Sequence, residues 1–423
     1  MSLGDYEAPY PSIFRANSLG GSTHEMPSDA SLKVQASDSV GSLESLRADW
    51  DRLLADFPHA TTFSTLEWLL PWWRAFGRDD RLRVLSFSDP SSSLVGLAPL
   101  ALIRHSVSGM SLRVLRLMGD GSGDSDNLDL PVRPGFEESF ASALLAHLEK
   151  PEERWDFCEL NTLPASSPAA AAIVHAAKQR GWPAFQYPRA ASAITLPGNW
   201  EAYLQRLSAE DQKNLARYTR RLENRYQVQI YRCSQESEIP RCLEALFHLH
   251  QSRWNRAGEP GSFSSAARRR FYDELSLSLL ARRWLEFWVL ELDGMVAAAQ
   301  FAFRYRDTVY QLQEGYDPDR STDRVGVILR AHVMKQLISE GVRDYDFLGG
   351  EPGYKARWGA EPRFYTDLKF ARPFSWGAAY LSALHQGGKS KEWLRKSLPE
   401  PVWSVLHKTN VCLRGGTRSG TQS

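Results

Sequence analysis

Cysteine is scarce in this chain. Cys158, Cys233, Cys242 and Cys412 are the only four among 423 residues, and no pair has the CxxC spacing of a metal or redox motif. That excludes a disulfide framework and points to a reducing compartment. An excess of either charge is also lacking. Lysine and arginine number 51 against 50 aspartates and glutamates, which removes the electrostatic footprint of a dedicated DNA binder. Long apolar runs are missing too: Gly96 to Ile103 is about the longest, far short of a membrane span. Met1 to Ser39 lacks the basic-then-apolar order of a secretion signal. A soluble, cytoplasmic protein without a transmembrane segment is expected. His248 and His250 stand two apart, so a helix points them to different sides, and no third ligand accompanies them; no metal is expected. No Ser-His-Asp order, Walker loop or dinucleotide fingerprint is present.

The length suffices for two or three full cores. Tryptophan numbers 14, with clusters at Trp68, Trp72 and Trp73 and at Trp284 and Trp288, which core packing accounts for. Residues 1–40, rich in Ser, Gly, Pro and Asp, read as a disordered arm. From 373 to 423 short helical patterns with Lys389, Lys391, Arg395, Lys396 and Lys408 give way to a loose tail. A helical appendage is the reading there; contact with an anionic membrane surface would need more charge than this.

Between these ends the chain reads as a duplication. In the second half Leu285 to Leu292 is a strand, Asp293-Gly294 a two-residue hairpin turn and Met295 to Tyr305 the return strand. Thr308 to Glu314 follows as a third strand. An amphipathic helix, about Val325 to Glu340, carries Val325, Leu329, Val333 and Leu337 at four-residue spacing, and Val342 to Leu348 is a fourth strand. The first half repeats the order: strands Leu82 to Phe87, Leu94 to Arg104 and Leu112 to Met118, a helix about Glu137 to Lys150, and the strand Trp155 to Leu160. Trp155-Asp156-Phe157 answers Tyr345-Asp346-Phe347. Each half is thus three antiparallel strands, a crossover helix and a fourth strand able to pair in parallel. Helices Leu43 to Leu54, Leu66 to Phe76, Pro240 to Ala257 and Ser265 to Ala281 precede the two sheets, and a basic helix, Trp200 to Arg225, lies between copies. The expected domains are 41–195 and 196–372.

One stretch carries chemistry. Tyr345-Asp346-Phe347-Leu348-Gly349-Gly350 runs a strand into paired glycines, and Glu351 to Trp358 follows with Tyr354 and Lys355. Strand tips opening into Gly-rich loops let backbone approach a ligand. A lysine there suits a phosphate or a developing oxyanion. The first copy's counterpart, Trp155 to Asn161, has neither the double glycine nor the Tyr-Lys pair.

The meander, crossover helix and parallel fourth strand resemble the GNAT acyltransferase fold, and two copies resemble the tandem arrangement of the FemABX peptidyltransferases. Asn199-Trp200-Glu201-Ala202-Tyr203-Leu204, Asn214-Leu215-Ala216-Arg217 and Tyr354-Lys355-Ala356-Arg357-Trp358-Gly359 resemble the BioF2-like or CelD/BcsL acetyltransferase family, over roughly residues 42 to 372. That resemblance implies α/β tandem GNAT domains, acetyl-CoA as donor, an amine or hydroxyl of a cell-envelope or exopolysaccharide precursor as small-molecule or saccharide acceptor, and polysaccharide synthase machinery as partner. Two rivals stand beside it: a FemABX-like transferase using aminoacyl-tRNA, and an inactive GNAT pair serving as a binding subunit.

Acyl transfer needs a base, a stabilised oxyanion and a protonated leaving group. In a GNAT-like sheet the donor sits where the third and fourth strands splay. Glu314, at the end of the third strand and on the Tyr310 and Leu312 side by alternation, is the leading base, and Asp346 the second. A solvated strand-end carboxylate and a loop-capping aspartate are the respective structural alternatives. The resemblance places Tyr354 and Lys355 toward the donor and transition state. Trp358 is a ligand-stacking candidate, though such residues more often anchor the loop. Arg320, Arg324 and Gly326 would hold the donor phosphates at the helix start, where Asp317, Asp319 and Asp323 oppose an anion. The first copy's loop, Gly119 to Leu130, holds Asp120, Asp124, Asp126 and Asp129, which repel pyrophosphate. That half therefore forms a wall of the acceptor groove, with Asp126 a candidate for sugar hydroxyls or a turn former. Lys213 and Arg217, on one face of the basic helix with Arg221, are candidates for an anionic acceptor or donor phosphates, or a solvated face paired with Glu210 and Glu223.

Overall fold

The computed structural model describes residues 32–77, 81–107, 110–256, 258, 261–350 and 353–397. The first half begins with strand β1 (Lys33–Ser37), helices α1 (Val40–Ser45), α2 (Arg47–Asp56) and α3 (Leu66–Phe76), then β2 (Arg81–Ser88), β3 (Leu94–Val107) and β4 (Met110–Leu117). Helix α4 (Glu137–Leu148), β5 (Phe157–Pro164), α5 (Pro168–Gln179) and β6 (Ala184–Thr195) complete it. The second half holds α6 (Trp200–Leu204), α7 (Ala209–Arg225), β7 (Val228–Arg232), α8 (Ile239–Arg256), α9 (Ala266–Ala281), β8 (Leu285–Leu292), β9 (Met295–Tyr305) and β10 (Thr308–Tyr316). Then come α10 (Val325–Ser339), β11 (Asp344–Gly349), α11 (Gly353–Ala356), β12 (Glu361–Phe370) and α12 (Trp376–Ser397).

The duplication is visible in the ladders. β2, β3 and β4 are antiparallel neighbours and β4 pairs in parallel with β5. β8, β9 and β10 repeat this, and β10 pairs in parallel with β11. The Asp293-Gly294 turn joins β8 to β9 with φ of 52° and 79°, the doubly positive pair of a type I′ hairpin. The basic segment is two helices, because the chain turns between Leu204 and Ala209 and Ser208 caps the second. Residues 33–40, read as the end of a loose arm, instead form β1 and the start of α1; β1 pairs with β2. Residues 1–31 and 398–423, with the tail, Lys408 and Cys412, lie outside the described residues.

Two sheets become one. The strand order is β1-β2-β3-β4-β5-β12-β6-β11-β10-β9-β8-β7. β6, the last strand of the first half, pairs with β11 and β12, while β12 pairs with β5 of the first half. Each half thus lends its final strand to the other.

Packing across the halves follows. Phe63 of the first half meets Phe303 at 5.5 Å and Tyr310 at 5.7 Å, and Trp68 meets Phe271 at 5.3 Å, edge to face. The Arg306 guanidinium donates to the carbonyls of Leu54 (2.6 Å) and Phe57 (3.1 Å), closing the C-terminus of α2. Trp50, Trp68, Trp72 and Trp288 are buried, as core packing requires.

The acidic loop of the first half is also internal. Asp124 accepts from Arg268 and from the Tyr272 hydroxyl, both at 2.9 Å. Asp120 accepts from Asn161 at 2.8 Å. Asp129 accepts from Ser167 at 2.7 Å and from the Leu130 N–H at 2.8 Å. Burial pushes the Asp129 carboxyl from 3.8 up to about 7, so folding favours its protonated form. Its contribution to stability is full below about pH 4 and is lost as pH rises toward 7. Asp129→Asn keeps an acceptor for Ser167 without the charge. It is expected to gain on the order of 2–3 kcal/mol over wild type between pH 5 and pH 8, read from urea unfolding at both values. Parallel pH dependences of the two proteins would contradict this.

Candidate functional site

β10 and β11 keep parallel register over only three pairs, Thr308 with Asp344, Val309 with Tyr345 and Tyr310 with Asp346, and then part. Beyond Tyr310 the strands leave a gap open to backbone and side chains. The register of β10 against β9 slips at Leu312, between Gln311 and Gln313. This bulge reverses the alternation after it. Glu314 therefore does not share the side of Tyr310 and Leu312, as simple alternation predicts. Its carboxylate accepts from Gln311 at 3.3 Å, and Gln311 accepts from the Tyr345 hydroxyl at 3.1 Å.

The partner that most defines this side of the gap is Arg330, on α10. Its guanidinium forms an ion pair with Glu314 and lies 5.7 Å from the Phe347 ring and 5.3 Å from those of Tyr354 and Trp358. Both ions are largely buried, with side chains 7% and 14% exposed. Gly326 lies directly above. A Cβ there would stand 3.2 Å from the Glu314 carboxylate, so the helix start approaches the acid closely. The Gln300 amide is fully buried beside Tyr345.

On the opposite side of β11 lies a second group, built by both halves. Asp126 of the acidic loop accepts from the Gly349 N–H at 2.8 Å. Asn127 donates to the Tyr365 hydroxyl at 2.9 Å and to Asp346 at 3.4 Å. Asp346 also accepts from the Leu348 N–H at 2.7 Å. Burial pushes its carboxyl up to about 6, with the Asp126 charge adding to the effect. Burial likewise raises Asp126.

Lys355 is 2% exposed and its ammonium donates to the carbonyls of Phe347 (3.2 Å), Leu348 (3.0 Å) and Gly349 (2.7 Å). A lysine has three donors, and all are directed at the strand end. Burial lowers its pKa, offset by Asp346 and Asp126. Trp358 is buried and its carbonyl accepts from the Tyr203 hydroxyl at 2.9 Å, so it anchors the loop from α6. Tyr354 stays 47% exposed at the mouth.

The donor-side arginines gather where α10 begins. Arg324 opens the helix in a left-handed conformation (φ 59°) and lies 5.9 Å from the Tyr218 ring, shared with Arg217 at 5.3 Å and Arg221 at 5.9 Å. Arg320 stands over Tyr226 at 5.0 Å. Asp323, expected to repel an anion, is buried and accepts from Arg225 and the Tyr226 hydroxyl, both at 3.2 Å. Its charge is already spent. Beside these residues Lys213, Arg217, Arg220, Arg221 and Arg225 line an open groove of about 750 Å³.

The equivalent gap of the first half is closed. Arg116 and Lys369 of β12 both pair with Glu159, and Asn161 bridges to Asp120. His250 is buried and accepts from the Trp254 indole at 3.0 Å, and no metal-holding cluster exists among the described residues.

Sequence reasoning missed Arg330, Asn127, Gln300 and Tyr365. Arg330 had a signal: it falls four residues after Gly326 and four before Met334, a charge on the face of α10 that is otherwise buried. Arg330→Met strands the Glu314 carboxylate and is expected to cost about 3–5 kcal/mol, whereas Arg330→Met with Glu314→Gln costs less than the single change. Denaturant unfolding of the three variants reads this; additive costs would contradict the coupling.

Residues 209–356, about a third of the chain, match the family model described as an acetyltransferase (GNAT) domain. No curated protein matches. Among solved structures, FemX aligns at 10% identity with a TM-score of 0.53, covering 76% of this chain and 95% of that one. A conserved protein of unknown function from Bacteroides thetaiotaomicron aligns at 13% identity and TM-score 0.49, over 80% and 100%. The C-terminal domain of a putative lysylphosphatidylglycerol synthetase from Agrobacterium fabrum aligns at 10% and 0.46, over 79% and 95%. The protein is thus a mixed α/β chain with one large, mostly antiparallel sheet flanked by helices, and part of its second half matches the model of a GNAT acetyltransferase domain.

Proposed function

We propose that the chain is an acyltransferase whose donor lies in the gap between β10 and β11, with acetyl-CoA as the donor. The observation that carries this reading is the gap itself: two strands part after three pairs, with the Glu314–Arg330 pair inside and arginines at its helix end. The α10 N-terminus, Arg324, Arg320 and Arg217 would hold the donor phosphates, with Gly326 giving the close approach. The acceptor, an amine or hydroxyl of a cell-envelope or exopolysaccharide precursor, would approach along the wall formed by Asp126, with Lys213 and Arg217 meeting an anionic portion.

The chemistry follows from the two groups. Acceptor nitrogen or oxygen attacks the thioester carbonyl carbon; the carbon–sulfur bond breaks and the thiolate takes a proton. Asp346, raised toward neutrality, suits the base on the acceptor side. Glu314 is the donor-side alternative, and the Tyr354 hydroxyl can return a proton to sulfur. β10 N–H groups past Tyr310, free of β11, can meet the oxyanion. Lys355 serves by holding the carbonyls that shape the gap, and Trp358 by fixing the loop.

A second reading is favoured by the α7 groove, which offers more positive surface than one pyrophosphate needs. It takes aminoacyl-tRNA as donor and predicts steeply salt-dependent tRNA binding.

Calorimetric titration with acetyl-CoA decides between them. Wild type should bind, and Arg324→Ala and Arg217→Ala should each weaken binding about tenfold, the worth of a charge-assisted contact. No heat at high micromolar ligand removes acetyl-CoA, and undiminished binding in both variants removes this placement. Once turnover is measurable, kcat/KM should fall as pH drops through about 6. Asp346→Asn should abolish that limb; a limb retained in the variant would assign it elsewhere.

A further inference from the structure

Two aromatic rings, Tyr218 of α7 and Tyr226 just after it, sort the cations near α10 into two groups. Around Tyr226 stand Arg225 at 5.2 Å and Arg320 at 5.0 Å. Each has its own acid: Arg225 pairs with Asp323 at 3.2 Å and Arg320 with Asp317 at 3.5 Å. Around Tyr218 stand Arg217 at 5.3 Å, Arg221 at 5.9 Å and Arg324 at 5.9 Å.

This second group is not balanced. Arg217 donates to the neutral Asn214 side chain at 2.7 Å. Arg221 donates to the Thr322 carbonyl and comes only to 4.0 Å from Asp323, the carboxylate that Arg225 holds. Among the described residues no acid lies within 4.0 Å of Arg217 or Arg324. The ring face attracts each guanidinium weakly, but it does nothing for their mutual repulsion, which an anion between them would relieve. All three arginines are exposed. Arg217 and Arg221 also line the open groove of about 750 Å³ along α7, and Arg324 opens α10 next to Gly326. The unbalanced cluster therefore begins at the helix end of the donor gap and runs outward.

We propose that the Tyr218 cluster binds a phosphate monoester, the 3′-phosphate of the acetyl-CoA donor, one ribose away from the pyrophosphate at the α10 N-terminus. The inference rests on the acetyl-CoA reading of the gap. The charge of the ligand selects these residues. Each phosphate of a pyrophosphate diester carries a single negative charge, whereas a monoester carries close to two at neutral pH, its second ionisation lying near pH 6. Guanidinium forks meet such a group with paired, charge-assisted hydrogen bonds. Exposure fits as well, because the ribose phosphate lies at the end of the donor farthest from the thioester. Arg324 stands between the two phosphate positions; Arg217 and Arg221 serve the monoester alone.

Calorimetric titration of the full chain with acetyl-CoA and with 3′-dephospho-acetyl-CoA tests this. Wild type should bind acetyl-CoA about tenfold more tightly, the worth of one charge-assisted contact. That preference should shrink as pH falls through about 6, where the monoester takes up its second proton. Arg217→Ala, at an exposed position, should erase the preference while leaving thermal unfolding and the affinity for the dephospho form unchanged. Arg320→Ala, on the pyrophosphate side, should weaken both ligands equally and keep the preference. Equal wild-type affinity for the two ligands, or a preference that survives Arg217→Ala, overturns the proposal and leaves the donor reading intact. Binding of neither ligand removes the donor reading and this inference with it. Displacement of acetyl-CoA by uncharged tRNA at physiological salt assigns the cluster to a nucleic acid and overturns the proposal too.

Discussion

The rest of the structure depends on the exchange of β6 and β12. Each half ends in a strand that its own sheet does not keep. β6 crosses to β11 and β12 runs back to β5, so twelve strands share one hydrogen-bonded sheet. Neither half can close its sheet without the other. The consequence reaches the site: β11, which bounds the proposed donor gap, is paired on its far side by a strand of the first half. The acidic loop of the first half is then held against the Gly349 backbone, and two of its carboxylates, Asp124 and Asp126, find partners across the boundary.

This arrangement accounts for the asymmetry of the two gaps. Both crossover strands part after a short register. In the first half, Glu159 paired with Arg116 and Lys369, and Asp120 hydrogen-bonded to Asn161, occupy the opening. In the second half the equivalent region holds Glu314, Arg330 and a close glycine, and the cations near α10 remain partly exposed. A buried ion pair is weak evidence for stability, because desolvation offsets much of its Coulomb gain. The Glu314–Arg330 pair is better understood as the polar floor of the gap, where the proposed acyl transfer would change charge.

The elements that local sequence dictates were legible. Asp293-Gly294 announced a type I′ hairpin, and Leu66 to Phe76 appeared as a helix with those bounds. The repeat of strand, hairpin, helix and strand announced the order of ladders that the two halves share. Long-range facts were not legible. β6 and β12 find partners far away in the chain, and nothing in their local alternation names those partners. The bulge at Leu312 turns Glu314 to the other side, and a single extra residue leaves no periodic signature. Lys355 stood out in the sequence, yet its burial against three carbonyls is a property of the folded loop. Two acids that seemed to forbid a phosphate, Asp323 and Asp319, are paired with Arg225 and Arg256, arginines that only the fold brings near.

The central claim is that one gap, in the second half, receives the acyl donor. Hydrogen–deuterium exchange of the full chain with and without acetyl-CoA tests it most directly. The account predicts slowed exchange in Gln313 to Tyr316, in Arg324 to Arg330 and in Tyr345 to Gly349, with Arg116 to Asp120 and Glu159 to Asn161 unchanged. Slowing centred on the first half's segments, or none anywhere at saturating ligand, would contradict it.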